Sequence, residues 1–217
     1  MNIQRIELVN RFKTTLLATA CLAIAVVMPA HAGQVAYNGY SVLNSQDVTL
    51  NDAKLNISER AGAGQITLNN TSTPGGMIAT WCIDIAHTLL KSGSFTAGGF
   101  LGGDLGNKVN ALLTNVLPTL GGGYDNSSAL QVAIWQAKYG DELTVSGPAN
   151  VLSQASGYLT NVNNGTWKAD LRMGVAVLGG DKKNQDQAYL VAVPEPASVA
   201  VVAASLVGLG LVRRKRA

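Results

Sequence analysis

Apolar residues recur in two rhythms along this chain, a two-residue alternation toward both ends of its central stretch and a helical spacing between them. Between Gln34 and Ile85, β-forming residues broken by turn formers predict strands near Gln34–Leu43, Lys54–Ser58, Gln65–Leu68 and Met77–Ile85. Asn69 to Gly76 is rich in Asn, Thr, Pro and Gly and reads as a loop, and the glycines between Ser92 and Gly106 read as a flexible surface turn. Leu105, Val109, Leu112, Leu113 and Val116 then fall at helical spacing that stops at Pro118. A second helix, capped by Asp125, Asn126 or Ser127, carries Leu130, Ala133, Ile134 and Ala137 on its apolar face and ends at Gly140. A weaker helical pattern runs from Ala149 to Val162, and strand-like alternation returns over Ala169–Leu178 and Gln187–Val193. The expected fold class is α+β, a mostly antiparallel β-sheet formed by both ends of the domain with a helical insertion in the middle.

Two uninterrupted apolar runs break this pattern, one at each end. Arg5, Arg11 and Lys13 precede an apolar core from Thr14 to Met28 and a small-x-small site at Ala30-His31-Ala32, the layout of a secretory signal peptide over residues 1–32. Cys21 lies inside that core; too little apolar chain precedes it for a lipoprotein signal. At the other end, Pro194-Glu195-Pro196 leads into an apolar run and then Arg213, Arg214, Lys215 and Arg216. The run Ala197–Val212 has 16 residues, close to the roughly 17–25 that span a bilayer core, and with its flanks predicts a transmembrane helix. The basic cluster orients that helix with its C-terminal end in the cytoplasm. The two prolines preclude regular structure before the run and present an extended segment to a processing enzyme.

The order Pro-Glu-Pro, membrane helix, arginine-rich cluster resembles the PEP-CTERM sorting tail of Gram-negative bacteria. The resemblance covers residues 194–217 and implies export by signal peptidase, a transient inner-membrane anchor, recognition by an exosortase, and delivery to the cell surface or extracellular matrix.

Setting both ends aside changes the charge. Residues 33–193 carry nine Lys and Arg against eleven Asp and Glu, so the basic balance of the whole chain comes from its terminal segments. The exported domain has no basic stripe for a nucleic-acid partner. At 161 residues it is long enough for one domain with its own core.

Once the signal is removed Cys82 is the only cysteine, an unpaired thiol in an oxidising compartment. Three fates are open to it: a small core hydrophobe, an intermolecular disulfide, or acylation by another side chain. For the last, Gln131 is the candidate, since attack of the sulfur on its carboxamide with loss of ammonia gives an internal thioester. An amide is a poor electrophile, so only a folded site that holds the two groups at high effective concentration can drive that step. The predicted position of Gln131 in the first turns of its helix would lend the positive dipole end to a developing oxyanion. Trp81, Ile134 and Trp135 would shield the bond from water, and Asp84 and His87 are candidate proton acceptors for an incoming nucleophile.

Trp81-Cys82-Ile83-Asp84 together with Gln131-Val132-Ala133-Ile134-Trp135 resembles the thioester domains of bacterial surface proteins, which pair an aromatic-Cys segment with a Thr-Gln-x-Ala-Ile-Trp helix. The resemblance implies that Cys82 is the thioester sulfur and Gln131 the acyl donor. It implies covalent adhesion to an amine or hydroxyl of a protein or polysaccharide surface. Leu130 stands where that family has Thr, so a hydroxyl contact is lost. Such a bond is used once, and no turnover, cofactor or metal is expected.

Catalytic classes find less support. His87 is the sole histidine after the signal and lies five residues from Cys82 on one segment, poor geometry for a cysteine-hydrolase dyad. One Cys and one His give no metal-ligand spacing. Gly98, Gly99, Gly102 and Gly103 lack the Lys-Ser/Thr of a phosphate loop. The alternative to the reactive adhesin is a non-covalent matrix or surface structural protein carrying the same tail.

Overall fold

The computed structural model describes residues 34–72, 76–180 and 183–193. The predicted signal peptide, Pro194-Glu195-Pro196, the apolar run and the basic cluster lie outside the described residues. Among the described residues no helix is long and apolar enough to cross a membrane.

Among the described residues, seven strands and three α-helices follow one another as β1 (Gln34–Asp52), β2 (Ile57–Asn70), β3 (Gly76–Cys82), β4 (Gly93–Phe100), α1 (Gly103–Val116), α2 (Tyr124–Tyr139), β5 (Leu143–Ser146), α3 (Ala149–Asn163), β6 (Met173–Gly179) and β7 (Gln187–Ala192). All strand pairings are antiparallel. Their order, β2-β3-β7-β6-β4-β1 with β1 also paired to β2, closes a six-stranded ring, and β5 adds to β1 alone. Closure leaves those six strands without a free edge. The class is thus α+β with a mostly antiparallel sheet drawn from both ends of the domain and helices from its middle.

The long strand β1 makes the closure possible because different lengths of it serve different partners. Gln34–Tyr37 pair with β4, Tyr37–Asp52 with β2, and Thr49–Asp52 also with β5. Two register shifts bend it, between Tyr37 and Tyr40 and between Leu43 and Gln46, and Asn44 in the second has a positive φ of 49°. Opposite that bulge Gly64 is required, since a Cβ there would meet Ser45 Cβ at 2.8 Å and Leu43 O at 2.9 Å.

Helix α2 docks where the bulge has interrupted the ladder. Ser127 Oγ accepts the Gln65 N–H at 2.9 Å; Ser128 Oγ accepts the Gln46 N–H at 2.9 Å and donates to Ala63 O at 2.9 Å. Two helix hydroxyls thereby satisfy main-chain groups that a regular strand pair would have satisfied. Every residue from Ser127 to Trp135 is buried, because α2 is enclosed between the sheet on one side and α1 and α3 on the other.

Several expected boundaries are corrected. Strand β1 runs nine residues past Leu43, because the bulge lets it turn without ending. The two short strands expected at Lys54–Ser58 and Gln65–Leu68 are one strand, β2, whose glycines tolerate the close approach of β1. Strand β3 stops at Cys82 rather than Ile85. The glycine-rich stretch expected as a loop holds β4, with Phe95 buried and stacked on Tyr37 at 4.9 Å between ring centroids. Strand β5 was not expected; it has four residues, too few for an alternation to register. Helix α2 begins at Tyr124 with Gly123 in the capping position, so none of Asp125, Asn126 and Ser127 caps it.

Replacing Ser128 by Ala leaves the half-buried Gln46 N–H without its acceptor and the buried Ala63 carbonyl without its donor. A loss of about 1–3 kcal/mol of unfolding free energy is expected, read as a lower urea midpoint with unchanged m-value.

Candidate functional site

Cys82 is the last residue of β3, paired with Gln187 of β7, and Trp81 is paired with Ala188. In an antiparallel ladder the main-chain groups of successive residues face opposite neighbours. Thr80 pairs with Ile66 of β2, and the Ile83 N–H donates to Asp186 O at 3.1 Å toward β7. The N–H and C=O of Cys82 therefore face β2, where the ladder has already ended at Thr80.

Gln131 fills that vacancy in the hydrogen bonding. Its Oε1 accepts the Cys82 N–H at 3.0 Å and its Nε2 donates to Cys82 O at 2.8 Å, so the carboxamide pairs with Cys82 as a strand peptide would. Both residues are almost fully enclosed, Cys82 at 2% and Gln131 at 1% exposure. Trp81, Ile134 and Trp135 are buried in the same core cluster.

The thiol is held in its neutral form. Burial pushes its pKa up to about 12 and the Asp84 charge adds to this, against partial offsets from the Trp135 indole, the Asp84 main chain and the Lys138 charge. The S–H donates to Asp84 O at 3.0 Å. Trp135 Nε1 is buried and meets no partner within ordinary hydrogen-bond geometry, so its effect on the sulfur is that of a longer-range dipole. A protonated, dry thiol is the opposite of the exposed thiolate that cysteine hydrolases use. Burial also closes the intermolecular disulfide route while the domain is folded.

Asp84 and His87 lie in the irregular segment after β3. Asp84 Oδ1 accepts the Ala86 N–H at 2.9 Å, and Asp84 Oδ2 meets His87 Nδ1 at 2.6 Å. The Asp84 side chain is 11% exposed and that of His87 38%, so the pair leads from the core to the surface. The expected strand Met77–Ile85 would have put Asp84 on the same face as Cys82, but β3 has ended; the main-chain carbonyl of Asp84 turns to the sulfur and its carboxylate turns to His87.

The place of Gln131 on its helix is a second correction. It is the eighth residue of α2, two turns from the N-terminus, where main-chain N–H groups are already bonded within the helix. The donor aimed at its carbonyl oxygen is the Cys82 N–H, not the helix dipole. Leu130 is fully buried in the core, which accounts for an apolar residue at that position.

Lys138 and Tyr139 were missed from the sequence. Lys138 Nζ donates to Ile83 O at 2.5 Å; Tyr139 Oη accepts the Ile85 N–H at 3.2 Å and donates to Ile83 O at 3.5 Å. The Lys138 ammonium also lies 5.0 Å from the Tyr139 ring centroid. The signal was present in the spacing, since Lys138 follows Gln131 by two helical turns and so shares its face. No cluster of three or more His, Cys, Asp or Glu suited to a metal exists among the described residues.

Comparison with family models, with curated proteins and with solved structures finds no match to this chain.

In Gln131→Leu the Cys82 N–H and C=O lose their partners in a dry site, and a loss of about 2–5 kcal/mol is expected in denaturant unfolding. The same variant retains a free thiol, whose pKa burial holds at about 12 in the parent fold against 9.0 ordinarily. The unfolded chain ionises first, so the thiol's contribution to stability is complete below pH 9.0 and is lost as pH rises toward 12. The double variant Gln131→Leu/Cys82→Ala is expected to lack that part of the alkaline decline in melting temperature.

Proposed function

We propose that this chain is an exported surface protein of a Gram-negative bacterium, sorted by an exosortase through residues 194–217, whose Cys82 and Gln131 form an internal thioester for covalent attachment to a surface or matrix partner. The observation that carries the reading is the Gln131 carboxamide bonded at both ends to the main chain of Cys82 in a site closed to water.

The chemistry follows from that arrangement. The Cys82 sulfur attacks Cδ of Gln131, and the negative charge that develops on Oε1 is met by the Cys82 N–H at 3.0 Å. The thiol proton passes to Nε2, the C–N bond breaks, ammonia leaves and the carbonyl re-forms as a thioester. Fixing both groups in one folded site replaces the effective concentration that an unactivated amide lacks. A nucleophile on the partner then takes the acyl group from sulfur, leaving a covalent link and a free thiol. Asp84, whose carbonyl takes the thiol, and His87, held on its carboxylate, are the candidates to accept its proton.

A second reading rests on the same two hydrogen bonds: the carboxamide is a non-covalent clamp that completes β3, and the protein is a structural component of the matrix. Intact mass separates the readings. The thioester form is expected to be lighter by one ammonia, to revert to full mass in Cys82→Ala, and to gain hydroxylamine when exposed to that small neutral nucleophile. A full-mass chain with one titratable thiol in denaturant rejects the thioester and leaves the clamp.

Sorting has its own test. With Pro194, Glu195 and Pro196 all replaced by alanine, the protein is expected to stay in the membrane fraction of an exosortase-bearing host while the parent chain reaches the surface. Equal release of both chains rejects the sorting role of the motif.

A further inference from the structure

The groups around the sulfur differ in what they do to an incoming amine and an incoming hydroxyl, and this bears on the partner's chemistry. The inference rests on the thioester reading above. Asp84 bridges the core and the surface, since its carbonyl oxygen takes the Cys82 thiol at 3.0 Å while its carboxylate holds His87 Nδ1 at 2.6 Å. With Nδ1–H donated to Asp84, the lone pair of the neutral imidazole lies on Nε2, which makes no hydrogen bond among the described residues. The His87 side chain is 38% exposed. This is the arrangement of an oriented general base at the entrance to a buried electrophile. The Asp84 carboxylate itself is engaged by His87 and by the Ala86 N–H, and so is not a free counter-ion for an arriving cation.

On the other flank stands a positive charge. Lys138 Nζ is held on Ile83 O at 2.5 Å, one residue from Cys82, and its charge is the weakest of the influences on the sulfur. A lysine amine approaches as an ammonium near neutral pH and meets this like charge at the solvent-exposed edge of the segment that covers the sulfur. A hydroxyl approaches uncharged and lacks only a base.

We infer that the Cys82–Gln131 acyl group is directed by His87 and Lys138 to hydroxyl groups, those of a neutral carbohydrate, in preference to protein amines. The hydroxyl oxygen attacks Cδ of Gln131 as its proton moves to His87 Nε2. The C–S bond breaks, the sulfur takes the proton back from the imidazolium, and an ester joins Gln131 to the sugar. The segment of residues 83–92 that covers the sulfur has no regular secondary structure and is tied down by side-chain pins, Lys138 and Tyr139 at one end and Asn184 Oδ1 on the Leu90 N–H at the other. Entry of the nucleophile requires this segment to lift while α2 and β3 stay in place.

The test uses the exported domain in its ammonia-loss form, incubated at neutral pH with equal concentrations of glycerol or methylamine and followed by intact mass. The parent protein is expected to form the glycerol ester faster than the methylamide. His87→Gln, whose amide can still donate to Asp84, is expected to slow esterification by about 100-fold or more and to shift the ester-to-amide ratio toward the amide. Lys138→Met is expected to speed methylamide formation by about tenfold. If the ammonia-loss form is present but methylamine outpaces glycerol, and neither substitution moves the ratio, the hydroxyl preference is overturned and the thioester stands. If no ammonia-loss form exists in the parent protein, both are overturned.

Discussion

The carboxamide of Gln131 stands in for a missing strand. Where β2 bends away after pairing with Thr80, the N–H and C=O of Cys82 face a gap in the ladder, and in a dry core each would cost about 1–3 kcal/mol if left unpaired. One side chain closes both, because a primary amide carries a donor and an acceptor in the spacing of a peptide group. This couples the end of β3 to the middle of α2 and places the only described thiol beside the only carboxamide bonded to its main chain.

The same helix face repeats the device. Ser127, Ser128 and Gln131 follow at helical spacing, and each bonds a main-chain group of the sheet that β1 and β2 leave open at or beyond their bulge. Helix α2 is therefore buried on its polar stripe as well as its apolar one. The stripe continues through Trp135 to Lys138, which pins the segment after Cys82. Bulge, serines, carboxamide and lysine form one line of polar contacts along the helix, and Cys82 and Gln131 sit inside it rather than in a cleft. Such a line holds the acyl carbon and the sulfur in place without relying on side-chain packing alone.

Electrostatics and access pull in opposite directions at this site. Burial raises the thiol pKa to about 12 and keeps it neutral, which protects it from oxidation. The same burial keeps water from an acyl–sulfur bond. The cost is that proton transfer must be supplied locally, and the Asp84–His87 pair connects the sulfur to the surface through titratable groups.

Much of this was readable in residue order. The helix periodicity around Leu112 and Ile134, the strand that carries Cys82 and the alternation near Gln187 come from local pattern, because each element must bury one face. The pairing of Cys82 with Gln131 was reached through the chemistry of an unpaired thiol and a motif, not through periodicity. What stayed hidden was non-local. Strand β4 lies in a glycine-rich stretch whose only strong core residue is Phe95, and β1 continues through Asn44, a residue that reads as a turn. Both are strands because a partner across the ring supplies the hydrogen bonds. Local composition set which groups carry the chemistry: one thiol, one carboxamide, one imidazole and the carboxylate beside it. Ring closure and the docking of α2 decided which main-chain groups were left unpaired, and so which side chain had to meet the cysteine, since an open hydrogen bond depends on where a distant strand stops.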